Sequence, residues 1–358
     1  MSDVNAKNVP IAAQSTGEAA AVASATGNAE AVVSTTGEHG LFDEKDLILE
    51  AKHVTRIFPA AGGKQLTACN DINLKFYKVK TLGIVGESGC GKSTFMRFIV
   101  SLDVPTEGEI IYRGKDITKM KGEELRQNRQ NIQMVFQDPA QSFNPKMKIR
   151  DIICEPLLNF KRIKPSEKQA AAARLLEMVE LPAEMADRYM HNMSGGQRQR
   201  VAIARALALE PEIILLDEAT SSLDVSVQKT IIELITKLQK EKNITMGFIC
   251  HDIGLIQSVA HQIAVMYLGN IVEVMPGEDI GSKAQHPYTR ALLDSVFDIK
   301  MDFSKTIESI ESEAPSPLNV PPGCPFCDRC DHCKDICRSE KPKLKEVGPG
   351  HEVACHLY

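Results

Sequence analysis

No apolar run in this 358-residue sequence approaches the roughly 18–20 residues needed to span a bilayer. Any role at a membrane is therefore expected to come through partner proteins. An excess of positive charge is missing as well. The formal net charge of −5 argues against a nucleic-acid-binding surface as the main business, although local basic patches remain compatible with it. No charged-then-apolar leader is seen, and the chain is long, so the ten cysteines read better as thiols in a reducing cytoplasm than as a secreted disulfide framework. Aromatic residues are absent from positions 1–40, which are rich in Ala, Ser, Thr, Gly and Glu and repeat Thr-Gly at Thr16-Gly17, Thr26-Gly27 and Thr36-Gly37. Such a segment buries too little apolar area to offset its ordering entropy, which predicts a disordered tail over 1–45. The rest is ordinary: 43% hydrophobic and 25% charged, enough for two or three compact units with a sizeable core.

Against that background two motifs stand out. Gly86-Glu87-Ser88-Gly89-Cys90-Gly91-Lys92-Ser93, followed by Thr94, fits GxxxxGK[ST] directly after the apolar stretch Leu82-Gly83-Ile84-Val85. Its glycines let backbone N–H groups close around phosphates, Lys92 neutralises the β/γ oxygens and the Ser93 hydroxyl reaches Mg²⁺. About a hundred residues later, Met193-Ser194-Gly195-Gly196-Gln197 opens a helix-prone run, Gln197 to Leu209. It offers free N–H groups and a positive dipole end to an anion. Apolar β-type segments at 47–51, 72–76, 109–112, 132–136, 213–216 and 245–249 surround a helical stretch between about 139 and 209. Strands alternating with helices predict an α/β core with a largely parallel sheet and an inserted helical subdomain.

This set of motifs resembles the ATP-binding-cassette family, whose LSGGQ signature is matched at 193–197 with Met193 in place of Leu. The resemblance implies a RecA-like P-loop NTPase over 46–276. It also implies a working dimer in which the signature residues Ser194, Gly195, Gly196 and Gln197 of one subunit close on the ATP held by another. It assigns Asp217 to Mg²⁺ and Glu218, at the end of Ile213–Leu216, to the general base. Gln137 matches the glutamine that senses Mg²⁺ and water, His251 the histidine that contacts the γ-phosphate, and Asp224 the D-loop aspartate, with Ser222 where Ala is usual. Phe58 falls where the family places an aromatic for adenine stacking, although an aromatic beside an apolar residue is more often core.

Three further stretches narrow the resemblance. They are Gln137-Asp138-Pro139 running on to Ser142-Phe143-Asn144-Pro145, the run His286-Pro287-Tyr288-Thr289-Arg290, and the cysteine-rich end. This combination is similar to the ATP-binding subunits of oligopeptide and dipeptide permeases, F-type more than D-type, with nickel and glutathione importers as relatives. It implies a partner ATPase subunit, a paralogue, together with two transmembrane permease subunits, an extracytoplasmic substrate-binding protein and a place on the cytoplasmic face of the cell membrane. His286-Pro287-Tyr288 reads as a turn into a helix, a family marker without chemistry of its own. From about Gly277 a separate Pro- and Cys-rich appendix is expected. Six cysteines crowd its end: Cys324, Cys327, Cys330, Cys333, Cys337 and Cys355. Such thiol spacing suits a metal or an iron–sulfur cluster. The resemblance selects Cys324, Cys330, Cys337 and Cys355 for a 4Fe-4S cluster. The competing set is Cys327, Cys330, Cys333 and Cys337, with ferredoxin-like spacing, and structural Zn²⁺ is the non-redox rival.

Overall fold

The computed structural model describes residues 42–221, 223–294, 318 and 320–358. Residues 1–41 of the tail expected over 1–45, and Ser222 of the D-loop, lie outside them. The body begins slightly before residue 46: Asp43 caps the turn Glu44–Asp46, and the Phe42 ring centroid lies 5.2 Å from that of Tyr77. An aromatic close to an apolar neighbour is what ends the low-complexity stretch.

Twelve strands are present among the described residues. They are β1 (Leu47–Pro59), β2 (Gln65–Tyr77), β3 (Thr81–Val85), β4 (Glu107–Tyr112), β5 (Lys115–Asp116), β6 (Ile132–Val135), β7 (Ile213–Asp217), β8 (Thr245–Ile249), β9 (Gln262–Tyr267), β10 (Asn270–Pro276), β11 (Lys345–Gly348) and β12 (His351–Val353). Four form an antiparallel sheet in the order β2-β1-β4-β5, and eight form a second sheet, β11-β12-β10-β9-β3-β8-β7-β6. Within the larger sheet β6, β7, β8, β3 and β9 run parallel. Every residue of β3, β7 and β8 is buried, as expected of parallel strands covered on both faces. Along β7 the two faces separate with period 2. Ile213 and Leu215 pack with Leu49, Phe76, Phe95 and Met96 towards the antiparallel sheet. Ile214 and Leu216 face the cluster that includes Ile152, Leu176 and Val201 of the helical block.

That helical block contains helices Pro139–Ser142, Ile149–Asn159, Lys168–Met178 and Gly195–Leu207, within the 139–209 span expected. Parallel register then sets up the site. Val135 stands opposite Leu216, Asp217 opposite Ile249, and Ile84 opposite Ile249, so the loops leaving β3, β6, β7 and β8 emerge at one sheet edge.

The appendix expected as a separate unit after residue 277 is instead continuous with the main sheet. β12 pairs with β10, placing Val353 opposite Glu273. Glu273 is fully buried. Its carboxylate accepts N–H bonds from Gln285 at 2.7 Å and His286 at 3.2 Å, and bonds the His351 ring nitrogen at 2.8 Å. A segment with few apolar residues is thereby held by hydrogen bonds to a buried carboxylate rather than by a core of its own.

Candidate functional site

At the end of β3 the chain must turn sharply into helix Lys92–Ile99, and glycine makes that turn possible. Gly86 has φ +151° and a Cβ there would lie 2.1 Å from the Met266 carbonyl oxygen; Gly91 has φ +111° and would meet the Ala68 carbonyl oxygen at 2.1 Å. No other side chain fits either position. The loop encloses Lys92, which is 4% exposed. Its Nζ donates to the Gly86 and Glu87 carbonyl oxygens, both at 2.8 Å. Ser88 and Gly89 complete the turn, and Thr94 follows on the first turn of the helix. Cys90 is buried, and burial is the main cause that pushes its thiol pKa up, against a lowering by neighbouring Lys92.

Next to this loop, the Ser93 hydroxyl donates to Asp217 Oδ1 at 2.9 Å. A hydroxyl and a carboxylate in contact are the two groups that hold Mg²⁺ in phosphate-loop enzymes. Burial raises the Asp217 pKa, partly opposed by the Ser93 hydrogen bond, while adjacent Glu218 adds to the rise. Glu218 has φ +48°, left-handed and strained for a non-glycine residue. The strain is held by its N–H donating to the Ile249 carbonyl at 3.1 Å and by Ser221, whose N–H and hydroxyl both donate to the Glu218 carbonyl. In this pose the carboxylate bridges two loops. Gln137 Nε2 donates to Oε2 at 2.5 Å, and His251 Nε2 lies 2.5 Å from Oε1. The fold thus gathers Gln137, Glu218 and His251 on one carboxylate, beside the Ser93–Asp217 contact.

The signature residues are organised differently. Ser194 caps helix Gly195–Leu207: its hydroxyl accepts the Gln197 N–H at 3.3 Å, and Gln197 Oε1 accepts the Ser194 N–H at 3.0 Å. A Cβ at Gly196 would lie 2.5 Å from Val227 Cγ1, so this glycine permits close packing against helix Val225–Lys242. Asp224 caps that helix, accepting the Val227 N–H at 3.0 Å and the Ser226 hydroxyl at 2.6 Å. The Ser226 bond is the first cause of its lowered pKa. Phe58 lies on β1, half-buried, with the Arg56 guanidinium 4.5 Å above its ring.

Two residues at the phosphate loop were not among the expected site residues. The Glu87 N–H donates to the Tyr288 hydroxyl at 2.9 Å, so the His286-Pro287-Tyr288 run does more than mark a family. Arg329 donates through both guanidinium nitrogens to the two Glu87 carboxylate oxygens, each at 3.0 Å. No local pattern signals contacts between residues so far apart in the chain.

In the C-terminal segment all six clustered cysteines, with His286, His332 and His356, line one small cavity. The Cys324 thiol is pushed up to about 12, chiefly by burial and further by Cys337, Cys355 and Cys330, and the Cys324 N–H donates to the Cys337 carbonyl at 2.7 Å. Among the described residues, no three His, Cys, Asp or Glu side chains stand ready to hold a metal ion. The donors are gathered in one place without being preset for a metal.

The phosphate loop, the paired carboxylates and the strand order define an ATP-binding cassette. The chain belongs to the ABC transporter family. The ABC transporter pattern matches residues 69–221, and the pattern for the oligopeptide/dipeptide transporter C-terminal region matches 272–337. The chain is 44% identical over 323 residues to the oligopeptide transport ATP-binding protein AppF of Bacillus subtilis, covering 88% of this chain and 98% of that protein. It is 40% identical over 325 residues to OppF of Haemophilus influenzae, covering 87% and 98%. Among solved structures it is similar to the dimeric post-hydrolysis state of the ATP-binding cassette MJ0796 bound to ADP and Pi. That match has a TM-score of 0.58 and 31% identity, covering 64% of this chain and 98% of the other. No helix among the described residues is long and apolar enough to cross a membrane.

Proposed function

We propose that this chain is the ATP-hydrolysing subunit of an importer that takes up di- or oligopeptides, working at the cytoplasmic face of the cell membrane. Its partners in this reading are a second ATPase subunit, two transmembrane permease subunits and an extracytoplasmic binding protein. The observation that carries it is the Glu218 carboxylate held between Gln137 and His251, each at 2.5 Å. The names of the similar oligopeptide transport proteins support the solute class.

In this reading Lys92 releases the Gly86 and Glu87 carbonyls to meet the β/γ-phosphate oxygens. The loop glycines bring backbone N–H groups to the same phosphates. Mg²⁺, held by Ser93 and Asp217 with Gln137 nearby, would neutralise charge between the β- and γ-phosphates. Glu218 Oε orients the attacking water and takes its proton, and His251 Nε2 holds the γ-phosphate side of the site. Ser194, Gly195, Gly196 and Gln197 present their helix N-terminus to the ATP of the partner subunit, Asp224 lies at the same junction, and Phe58 stacks on the base. The thiol cavity would take a 4Fe-4S cluster through Cys324, Cys330, Cys337 and Cys355. The contact of Cys324 with Cys337, whose carbonyl accepts the Cys324 N–H at 2.7 Å, supports including Cys324, which the ferredoxin-like set leaves out.

Glu218→Gln keeps the shape but cannot accept the water proton. With the chain assembled on its permease, steady-state hydrolysis should fall by about 100-fold or more while ATP affinity stays near normal. Hydrolysis within a few-fold of wild type would sink the assignment of the base.

A further inference from the structure

The phosphate loop carries a negative side chain of its own. Glu87 is the residue after Gly86, and an unpaired carboxylate there would repel the polyphosphate of ATP. That carboxylate is closed off by Arg329, which bonds both of its oxygens at 3.0 Å and is only 6% exposed. Arg329 also donates to the Tyr267 hydroxyl at 3.1 Å. Tyr288 takes the Glu87 N–H, and the Phe326 ring packs edge-on against Tyr267 at 5.3 Å and beside Tyr288 at 5.4 Å. Both side chain and backbone of Glu87 are thus held from the C-terminal segment.

Arg329 itself stands within the cysteine cluster. It ends the turn Cys327–Arg329 and donates its N–H to Phe326, and the next residue, Cys330, donates its N–H to Cys327. The backbone that presents the guanidinium to the phosphate loop is therefore the same backbone that presents Cys327 and Cys330 to the thiol cavity.

We propose that Arg329 is a positioning residue for ATP binding, through which the cysteine segment bears on the phosphate loop. Its guanidinium cancels the Glu87 carboxylate beside the phosphates, and the turn holding Cys327 and Cys330 sets where that guanidinium stands. The inference rests on the reading of residues 86–93 as the ATP site. Bidentate geometry is essential to it, because a flexible ammonium neutralises charge without fixing the carboxylate.

The test is calorimetric titration of MgATP into the full-length chain and its variants, with steady-state kinetics on the assembled transporter. Arg329→Ala leaves Glu87 charged beside the phosphates and should weaken ATP binding by about tenfold or more, raising KM while kcat stays within about threefold. Adding Glu87→Gln removes the repulsion and should bring affinity back to within about threefold of wild type, a recovery that general destabilisation would not produce. Arg329→Lys should fall between the two and serves if the alanine variant does not fold. Cys330→Ser should alter ATP affinity in the wild-type background but not in Arg329→Ala/Glu87→Gln. Unchanged ATP affinity in Arg329→Ala, no recovery in the double variant, or an equal Cys330→Ser effect in both backgrounds would each overturn the proposal. A wild-type chain that binds no MgATP would instead overturn the ATP-site reading beneath it.

Discussion

The sheet core and the C-terminal segment solve the same problem by different means. In the core, buried strands such as β3, β7 and β8 supply apolar area on both faces, and polar function is confined to the strand ends. In the C-terminal segment Ile280, Tyr288 and Phe326 pack into the core, and buried polar and thiol groups add to the holding: Glu273 with His351, Glu87 with Arg329, and six cysteines around one cavity. The first arrangement withstands loss of a polar group; the second depends on it, because a buried polar group without its partner costs more than a surface one. The core should therefore fail at its glycines, and the segment at its polar pairs.

The largest effect expected is at Gly91. Gly91→Ala places a methyl about where the Ala68 carbonyl oxygen stands, 2.1 Å away, and must distort the loop. MgATP binding, followed by calorimetry, should fall by about 100-fold or more, while circular dichroism reports a folded core. Retained affinity would mean that the loop is not the phosphate cradle.

Cys355→Ser comes next. Iron and sulfide analysis after anaerobic purification should show most of the proposed cluster lost, with weaker loss for Cys327→Ser or Cys333→Ser. Cluster loss from Cys333→Ser with retention in Cys355→Ser would favour the ferredoxin-like set, and colourless protein with stoichiometric zinc the structural-metal reading.

Removing the buried carboxylate should loosen the segment without melting the core. Glu273→Ala leaves the Gln285 and His286 N–H groups and the His351 ring without their acceptor, at a cost of about 3 kcal/mol. Limited proteolysis should then cut near 277–294 faster while nucleotide binding changes little; uniform unfolding would contradict the division between the two regions.

The smallest effect is one of pH. His261 accepts the Thr81 N–H on Nδ1 at 3.0 Å, and burial, helped by Lys80 and Lys240, depresses its pKa from 6.5 to about 4. The folded state therefore binds this proton more weakly than the unfolded one. Its contribution to stability is complete above about pH 6.5 and is lost as pH falls towards 4. Replacing His261 by Gln should flatten the melting-temperature profile in that window, by on the order of 1–2 kcal/mol at its acid end. An unchanged acid slope would remove His261 from the account.

Much of the site was legible along the chain because each part is local. GxxxxGK[ST] after an apolar run demands a strand, a glycine turn and a helix, and β3, Gly86 to Gly91 and helix Lys92–Ile99 supply them. Two carboxylates at the end of Ile213–Leu216 could likewise be placed at the edge of a buried strand. The length of β1 was not legible: segments read as 47–51 and 72–76 extend to Leu47–Pro59 and Gln65–Tyr77, since cross-strand pairing, not propensity, carries polar residues such as Lys52 and Arg56 into the ladder. Nor was the pairing of β12 with β10, since the Pro and Cys content after residue 277 suggests a free-standing unit.

Covalent spacing and side-chain chemistry suffice to read the phosphate loop, the strand-end acids and the gathering of cysteines near the C-terminus along the chain. It takes the folded chain to bring Glu218 to Gln137 and His251, to close Tyr288 and Arg329 on Glu87, and to set Cys324 against Cys337. Those contacts join residues brought together by parallel strand register and by the return of the chain to β10, and neither is encoded in any one stretch of residues.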